Sequence, residues 1–289
     1  MVWATPRAPP LPTTAAMGQS CAMTETVHDA PLQLETTDGV AWVRLSRPEA
    51  MNSLDRSLKE ALRDTLEQVG ADPAVRCVVL TGTGRAFCVG QDLKEHVANL
   101  QAGDAGLAST VAEHYNPIVE ALAGMDKPVI AALNGVAAGA GLSFALACDF
   151  RIAVDTASLN TSFAGIALSC DSGASWHLPR LVGAAKAKEL LFFPRSVPAA
   201  EALELGLLTK VVPVEAFEDT VRELATMLAQ GPTLAYGSIR RALAYSSTHD
   251  LSAALAHEGE LMNRTGATAD HRAAVDAFLA KEKPTFTGR

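Results

Sequence analysis

Residues 39–46, GVAWVRLS, alternate apolar and polar side chains with the period of two that a half-buried strand requires. The next stretch, SLDRSLKEALRDTLEQVGAD, changes period. Leu54, Leu58, Leu62 and Leu66 fall on one helical face, and Ser53 stands where a capping side chain is expected. VRCVVLTG then reads as a short buried strand closed by glycine, which completes a strand–helix–strand unit. A second unit runs from the helical pattern TVAEHYNPIVEALAGM through the strand KPVIAALNG into NGVAAGAGLSFALACD, a stretch of glycines and alanines leading into an apolar helix. CDFRIAVDT is a further strand, followed by ASLNTSF. From Ala184 onward helical patterns follow one another, from AAKAKELLFF to ADHRAAVDAFLAKEK, interrupted only by LTKVVP. The pattern predicts an α/β core over 31–195 and a helical region over 196–289, with no Gly-, Ser- or Pro-rich linker between them.

Composition narrows the function. The 289 residues are 48% hydrophobic and 19% charged, as in ordinary globular proteins, and the net charge of −8 with scattered Lys and Arg provides no footprint for nucleic acid or an anionic membrane. No apolar run is long enough to cross a bilayer, and residues 1–30 lack the basic and apolar regions of a signal peptide; being Pro- and Thr-rich, they are expected to form a disordered extension. Cys21, Cys77, Cys88, Cys148 and Cys170 are odd in number, without CxxC spacing, and mostly lie in apolar runs. That favours reduced, buried thiols in a cytoplasmic protein over disulfides or a metal site.

Two glycine-bearing turns carry candidate chemistry. In VVLTGTGRAFCVGQDLKE, Gly82 and Gly84 fit the start of a dinucleotide loop, but Phe87 occupies the third glycine position and no helix starts there. GxxxxGK[ST], GxSxG and HExxH are also missing, which removes the signatures of a P-loop, a serine-hydrolase elbow and a zincin. The second turn ends the strand at LNG and starts a helix near Gly139. Small residues there serve either tight helix packing or close approach of a ligand oxygen to unpaired N–H groups at the positive end of the helix dipole. Taken together, two turns that each offer a backbone N–H are the hardware for stabilising a thioester enolate, at about 3 kcal/mol per donor.

At AFCVGQDLKE, KPVIAALNGVAAGAGLSFALACDFRIA, DSGASWHLPRLVGAAKAKEL and AAEALELGLLTKVV, in that order, the chain resembles the crotonase (enoyl-CoA hydratase/isomerase) superfamily over residues 33–287. The resemblance implies a spiral of ββα repeats with a helical C-terminal trimerisation region, assembled as a homotrimer or dimer of trimers. It also implies acyl-CoA thioester substrates and no metal or redox cofactor, coenzyme A being part of the substrate. By position, the oxyanion donors are the N–H groups of Gln91 and of Ala140, between Gly139 and Gly141. Asp92, Leu93 and Lys94 correspond to the wall of the CoA channel, and Phe278 and Lys281 to a CoA contact from a neighbouring subunit.

The catalytic side chains depart from the hydratase pattern. Where hydratases carry two glutamates that activate water, this chain has Ser143 and Phe163, neither of which is a carboxylate. Asp171, in SCDSGASW, remains. It resembles the carboxylate of the isomerase branches and the nucleophile of the dehalogenase branch, though an Asp before a helix is equally an ordinary N-cap. Ile166, Ala167, Leu168 and Trp176 around it would raise its pKa toward the acid–base range. The motifs resemble most the phenylacetate-pathway isomerase branch, which points to proton transfer by Asp171 through an enolate held by Gln91 and Ala140. A hydratase-like or catalytically silent acyl-CoA binder is the alternative. Tyr115, Ser143 and Phe163 are candidates for the acyl pocket, whose wall falls in HVANLQAGDAGLASTVAEHYN; His114, beside Tyr115, reads as part of that wall rather than as an acid–base group, and His177 as a helix-face histidine without a catalytic part.

Overall fold

A computed structural model describes residues 30–103 and 107–289. The expected extension over 1–30 lies outside the described residues, apart from Ala30. In chain order the elements are β1 (Leu32–Thr37), β2 (Val40–Leu45), α1 (Arg56–Ala71), β3 (Cys77–Gly82), β4 (Ala86–Cys88), α2 (Leu93–Gln101), α3 (Leu107–Thr110), α4 (Asn116–Gly124), β5 (Val129–Leu133), β6 (Val136–Ala138) and α5 (Ala140–Ala147). They continue with β7 (Phe150–Val154), β8 (Ser158–Asn160), α6 (Ala174–Phe192), β9 (Val197–Pro198), α7 (Ala199–Glu204), β10 (Lys210–Val212), α8 (Val214–Ala229), α9 (Thr233–Ser246), α10 (Leu251–Gly266) and α11 (Ala269–Ala280).

Among the described residues, a six-stranded sheet has the order β1-β2-β3-β5-β7-β10 and a four-stranded one the order β4-β6-β8-β9. β3, β5 and β7 each contribute to the first sheet and are followed at once by β4, β6 and β8 of the second. A helical segment then returns the chain, so each ββα unit climbs one step along both sheets. The larger sheet is parallel except for the β1–β2 hairpin, as right-handed crossovers through helices require.

Its strands read as nearly continuous apolar runs because both faces are covered. Ala41, Val43, Val78, Leu80, Ala131 and Leu133 face the cluster that holds Leu58, Leu62 and Leu66 of α1 and Leu122 of α4. The alternate residues Trp42, Val79, Ile130 and Ile152 pack with Val221, Ala225 and Leu228 of α8. β10 pairs in parallel with β7, so the chain's late strand rejoins the sheet after the expected division near residue 195, and Pro31–Arg289 forms one compact unit.

Three local expectations are revised. Asp55, rather than Ser53, caps α1 by accepting from the Leu58 N–H, because Ser53 is drawn inward to donate to Asp92. The helical pattern from Thr110 to Met125 is interrupted by a π-helical turn at Val111–Tyr115. The helix after Asp171 starts at Ala174 instead of Ser172, because Ser172 and Gly173 both take left-handed backbone angles. Cys77, Cys88 and Cys148 are buried free thiols, and burial pushes each pKa up to about 12; Cys170 is half-buried and also free. No helix among the described residues is long and apolar enough to cross a membrane.

Candidate active site

The two glycine turns meet. A Cβ on Gly90 would stand 3.0 Å from the Ala138 carbonyl oxygen and 3.3 Å from the Ala140 nitrogen, so only a glycine, here at φ 83°, lets the loop after β4 lie against the start of α5. The Gly90 carbonyl accepts from the Leu54 N–H at 2.8 Å, and Asp92 donates back to Leu54. In a trans peptide the C=O and the following N–H point in opposite directions. The Gln91 N–H therefore faces away from Leu54, on the side where α5 begins.

At α5 the first intrahelical bond runs from Ser143 N–H to the Gly139 carbonyl, which leaves the amide of Ala140 among the unpaired donors of the first turn. Gly139 has φ 52° and ψ −127°, a conformation open to glycine alone, and the nearest atom from outside its own segment to where its Cβ would be is Gly90 Cα, 3.9 Å away. Among the described residues, neither the Gln91 nor the Ala140 N–H has a protein acceptor.

Both residues line a cavity of about 290 Å³ together with Tyr115, Phe163, Ile166 and Asp171. Asp171 does not cap α6. The cap position is Gly173, without a side-chain hydrogen bond, and Asp171 contributes only its carbonyl, to the Ala174 N–H. Its carboxylate instead accepts from the Ser172 hydroxyl at 2.7 Å, and burial raises its pKa while that hydrogen bond partly offsets the rise. Tyr115 lines the same cavity, and burial first, then the Asp171 charge, push its phenol pKa upward.

Other expected site residues are placed elsewhere. Ser143 is buried with its hydroxyl donating back to the Gly139 carbonyl at 3.1 Å; it is not part of the cavity wall, because a helical serine satisfies itself on the preceding turn. Asp92 is buried and structural: it caps α2 through the N–H groups of Lys94 and Glu95, and it takes the Ser53 hydroxyl and Arg47. Burial alone would raise its pKa, but these donors together hold it below the usual carboxylate value. Leu93 is exposed at the cavity mouth, and Lys94 is exposed beside it without lining it.

Gly141 is a packing glycine, since a Cβ there would come within 2.4 Å of the Cys88 carbonyl oxygen. Phe278 and Lys281 stand exposed at the end of α11, outside the cavity wall. Trp176 stacks under Arg180, with the guanidinium carbon 3.4 Å from the ring centroid, and takes no part in the apolar surround of Asp171. Burial, with Arg151 and Arg180, pushes His177 down to about 4, so it is neutral at ordinary pH. His114 is buried and its pKa is likewise lowered, by burial first and then by Lys59 and Arg63.

Sequence reasoning missed Lys59 and Glu95, which reach Gln91 from α1 and α2. The one local signal was a lysine beside the leucine stripe of α1, and such a residue ordinarily lies in solvent.

The enoyl-CoA hydratase/isomerase family model matches residues 35–289. A protein of Escherichia coli (strain K12) named 1,2-epoxyphenylacetyl-CoA isomerase is 40% identical over 251 residues, 87% of this chain and 96% of its own length. A Rhodobacter capsulatus protein named for enoyl-CoA hydratase activity is 39% identical over 258 residues, 89% of this chain and 98% of its own. Among solved structures, a Mycobacterium abscessus protein with the enoyl-CoA hydratase/isomerase designation has a TM-score of 0.86 at 44% identity, covering 89% of this chain and 100% of that one. The mixed α/β spiral expected from the sequence is thus the fold these proteins share.

Proposed function

Because this chain belongs to the enoyl-CoA hydratase/isomerase family, we propose that it is an acyl-CoA isomerase whose single acid–base group is Asp171. The observation that carries this reading is that the Asp171 carboxylate is released from helix capping and lines the cavity that also holds Gln91 and Ala140.

In this mechanism the thioester oxygen accepts hydrogen bonds from the Gln91 and Ala140 N–H groups. Asp171 takes a proton from the carbon between the thioester carbonyl and the double bond. The electron pair of the broken C–H bond moves into a dienolate, with the charge on the oxygen. The protonated Asp171 then returns the proton to another carbon of the same system, and the double bond ends up shifted. No net proton is gained or lost. Two preorganised donors contribute about 3 kcal/mol each to the enolate, and the raised pKa of Asp171 brings it nearer to the carbon acid it must deprotonate.

A hydratase reading is less well supported, because Ser143 and Phe163 stand where two carboxylates would be needed, and Ser143 is turned onto its own helix. Homotrimeric assembly, or a dimer of trimers, belongs to the same reading, with Phe278 and Lys281 reaching a neighbour's coenzyme A, and so does a cytoplasmic location.

The test is double-bond migration in a β,γ-unsaturated acyl-CoA, followed for the parent and for Asp171→Asn. The parent is expected to turn over, and the variant to lose at least about 100-fold in kcat with the thioester still bound. Full activity in Asp171→Asn removes the aspartate from the mechanism. Hydration without migration favours the hydratase reading, and binding without any turnover favours a silent acyl-CoA binder.

A further inference from the structure

Lys59 breaks the pattern of its own helix. On α1 it is buried with Leu58, Leu62, Leu66 and Val69, and its side chain is only 2% exposed. A buried ion pair is commonly no more stabilising than an apolar side chain of similar volume, so a lysine in this place calls for a reason beyond stability.

Its partners supply one. Lys59 Nζ lies 3.0 Å from Glu95 Oε1 and 3.4 Å from Gln91 Oε1, and 6.0 Å from the centre of the Tyr115 ring. The Gln91 carboxamide is bonded at both ends. Its oxygen accepts from the Tyr115 hydroxyl at 2.5 Å as well as from Lys59, and its nitrogen donates to Glu95 Oε1 and to the Asp92 carbonyl, each at 3.3 Å. Four elements converge on this one side chain: α1, the loop after β4, the start of α2 and the π-helical turn that carries Tyr115.

We propose that Lys59, with Glu95 and Tyr115, is a positioning residue that clamps the Gln91 carboxamide and thereby aims the Gln91 backbone N–H at the thioester oxygen. The clamp rests on the thioester-enolate reading of the site. With the Gly90 carbonyl tied to Leu54 on one side and the Gln91 side chain tied on the other, the peptide plane between them has little freedom to rotate. A donor misplaced by about 1 Å can cost roughly 100-fold in rate.

Two variants and two readouts test the clamp. Lys59→Met removes the cation. The double variant Lys59→Met/Glu95→Gln removes both charges, so that neither is left buried alone and folding is preserved. The first readout is the kcat and KM of double-bond migration. The second is the absorption red shift of bound cinnamoyl-CoA, a thioester with no γ-proton to lose, whose carbonyl polarisation reports the strength of the oxyanion donors without turnover.

Both variants are expected to lose about tenfold or more in kcat, with KM changed less than threefold, and to show a smaller red shift than the parent. Kinetics and red shift within twofold of the parent's, even with a lowered melting temperature, would make Lys59 merely structural and overturn the clamp. If the parent moves no double bond yet shows the red shift, the isomerase reading falls while the clamp is still tested by its loss in the variants. A parent that binds cinnamoyl-CoA without any red shift overturns the clamp itself.

Discussion

Asp171 is kept off its helix by two consecutive left-handed residues, Ser172 at φ 52° and Gly173 at φ 75°. For a serine that conformation is strained, and the Ser172 hydroxyl offsets part of the cost by hydrogen bonding to Asp171. The same bond stabilises the charged carboxylate, so it tempers the upward push of burial on the Asp171 pKa. A base works as the carboxylate, so activity rises with pH as the proton leaves. With the pKa raised, the ascending limb of kcat/KM against pH is expected above the ordinary aspartate value of about 3.9. In Ser172→Ala the limb should move to still higher pH, because a donor to the charged form is lost. Tyr115, which lines the same cavity, has its pKa pushed upward, chiefly by burial, and stays neutral through this range. A pH profile of Ser172→Ala identical to the parent's would show that Asp171 titration does not govern the rate.

At the scale of one element, α5 separates two uses of small residues within a single turn. Gly139 supplies a backbone conformation that only glycine adopts and lines the cavity, whereas Gly141 lies against Cys88. Gly141→Ala is expected to lower stability by about 1–3 kcal/mol through overpacking against the Cys88 carbonyl and thiol, measured as a fall in the urea midpoint at unchanged slope. Gly139→Ala is expected to lose kcat out of proportion to its stability, because straining φ turns the Ala140 N–H away from its target. Equal effects of the two substitutions on kcat and on stability would contradict this division of roles. The π-helical turn acts at the same scale: it buries the adjacent His114 and Tyr115 together and so delivers the phenol to Gln91.

Across the whole molecule, the late helices carry a series of exposed large apolar side chains: Leu243, Leu251, Met262, Phe278 and Leu279 are each at least two-thirds exposed. Coverage by further copies of the chain is the expected explanation. Sedimentation equilibrium should give a mass of three, or six, times the 30.2 kDa chain. A monomeric mass at micromolar concentration would remove the neighbouring-subunit role of Phe278 and Lys281. The sheet tells a complementary story. Its two faces are covered by α1, α4 and α5 on one side and by α8 on the other, so α8, far along the chain, closes the core begun by β2 and β3.

Much of this architecture was legible in the chain itself. The strands CVVL and VIAAL, the leucine stripe of α1 and the two glycine turns follow from spacing or residue type, which local hydrogen bonding and periodicity express within a few residues, while the missing hydratase carboxylates follow from the family resemblance. Tertiary structure decided the rest. Whether Asp171 caps a helix or lines a cavity depends on the left-handed turn at Ser172 and Gly173. That Gly141 serves packing depends on Cys88, and that Lys59 lies buried depends on Glu95 and Gln91, partners more than thirty positions away. Contacts between distant residues arise only when the layers stack, and it is stacking that turns a lysine of ordinary appearance into a buried cation against the Gln91 side chain.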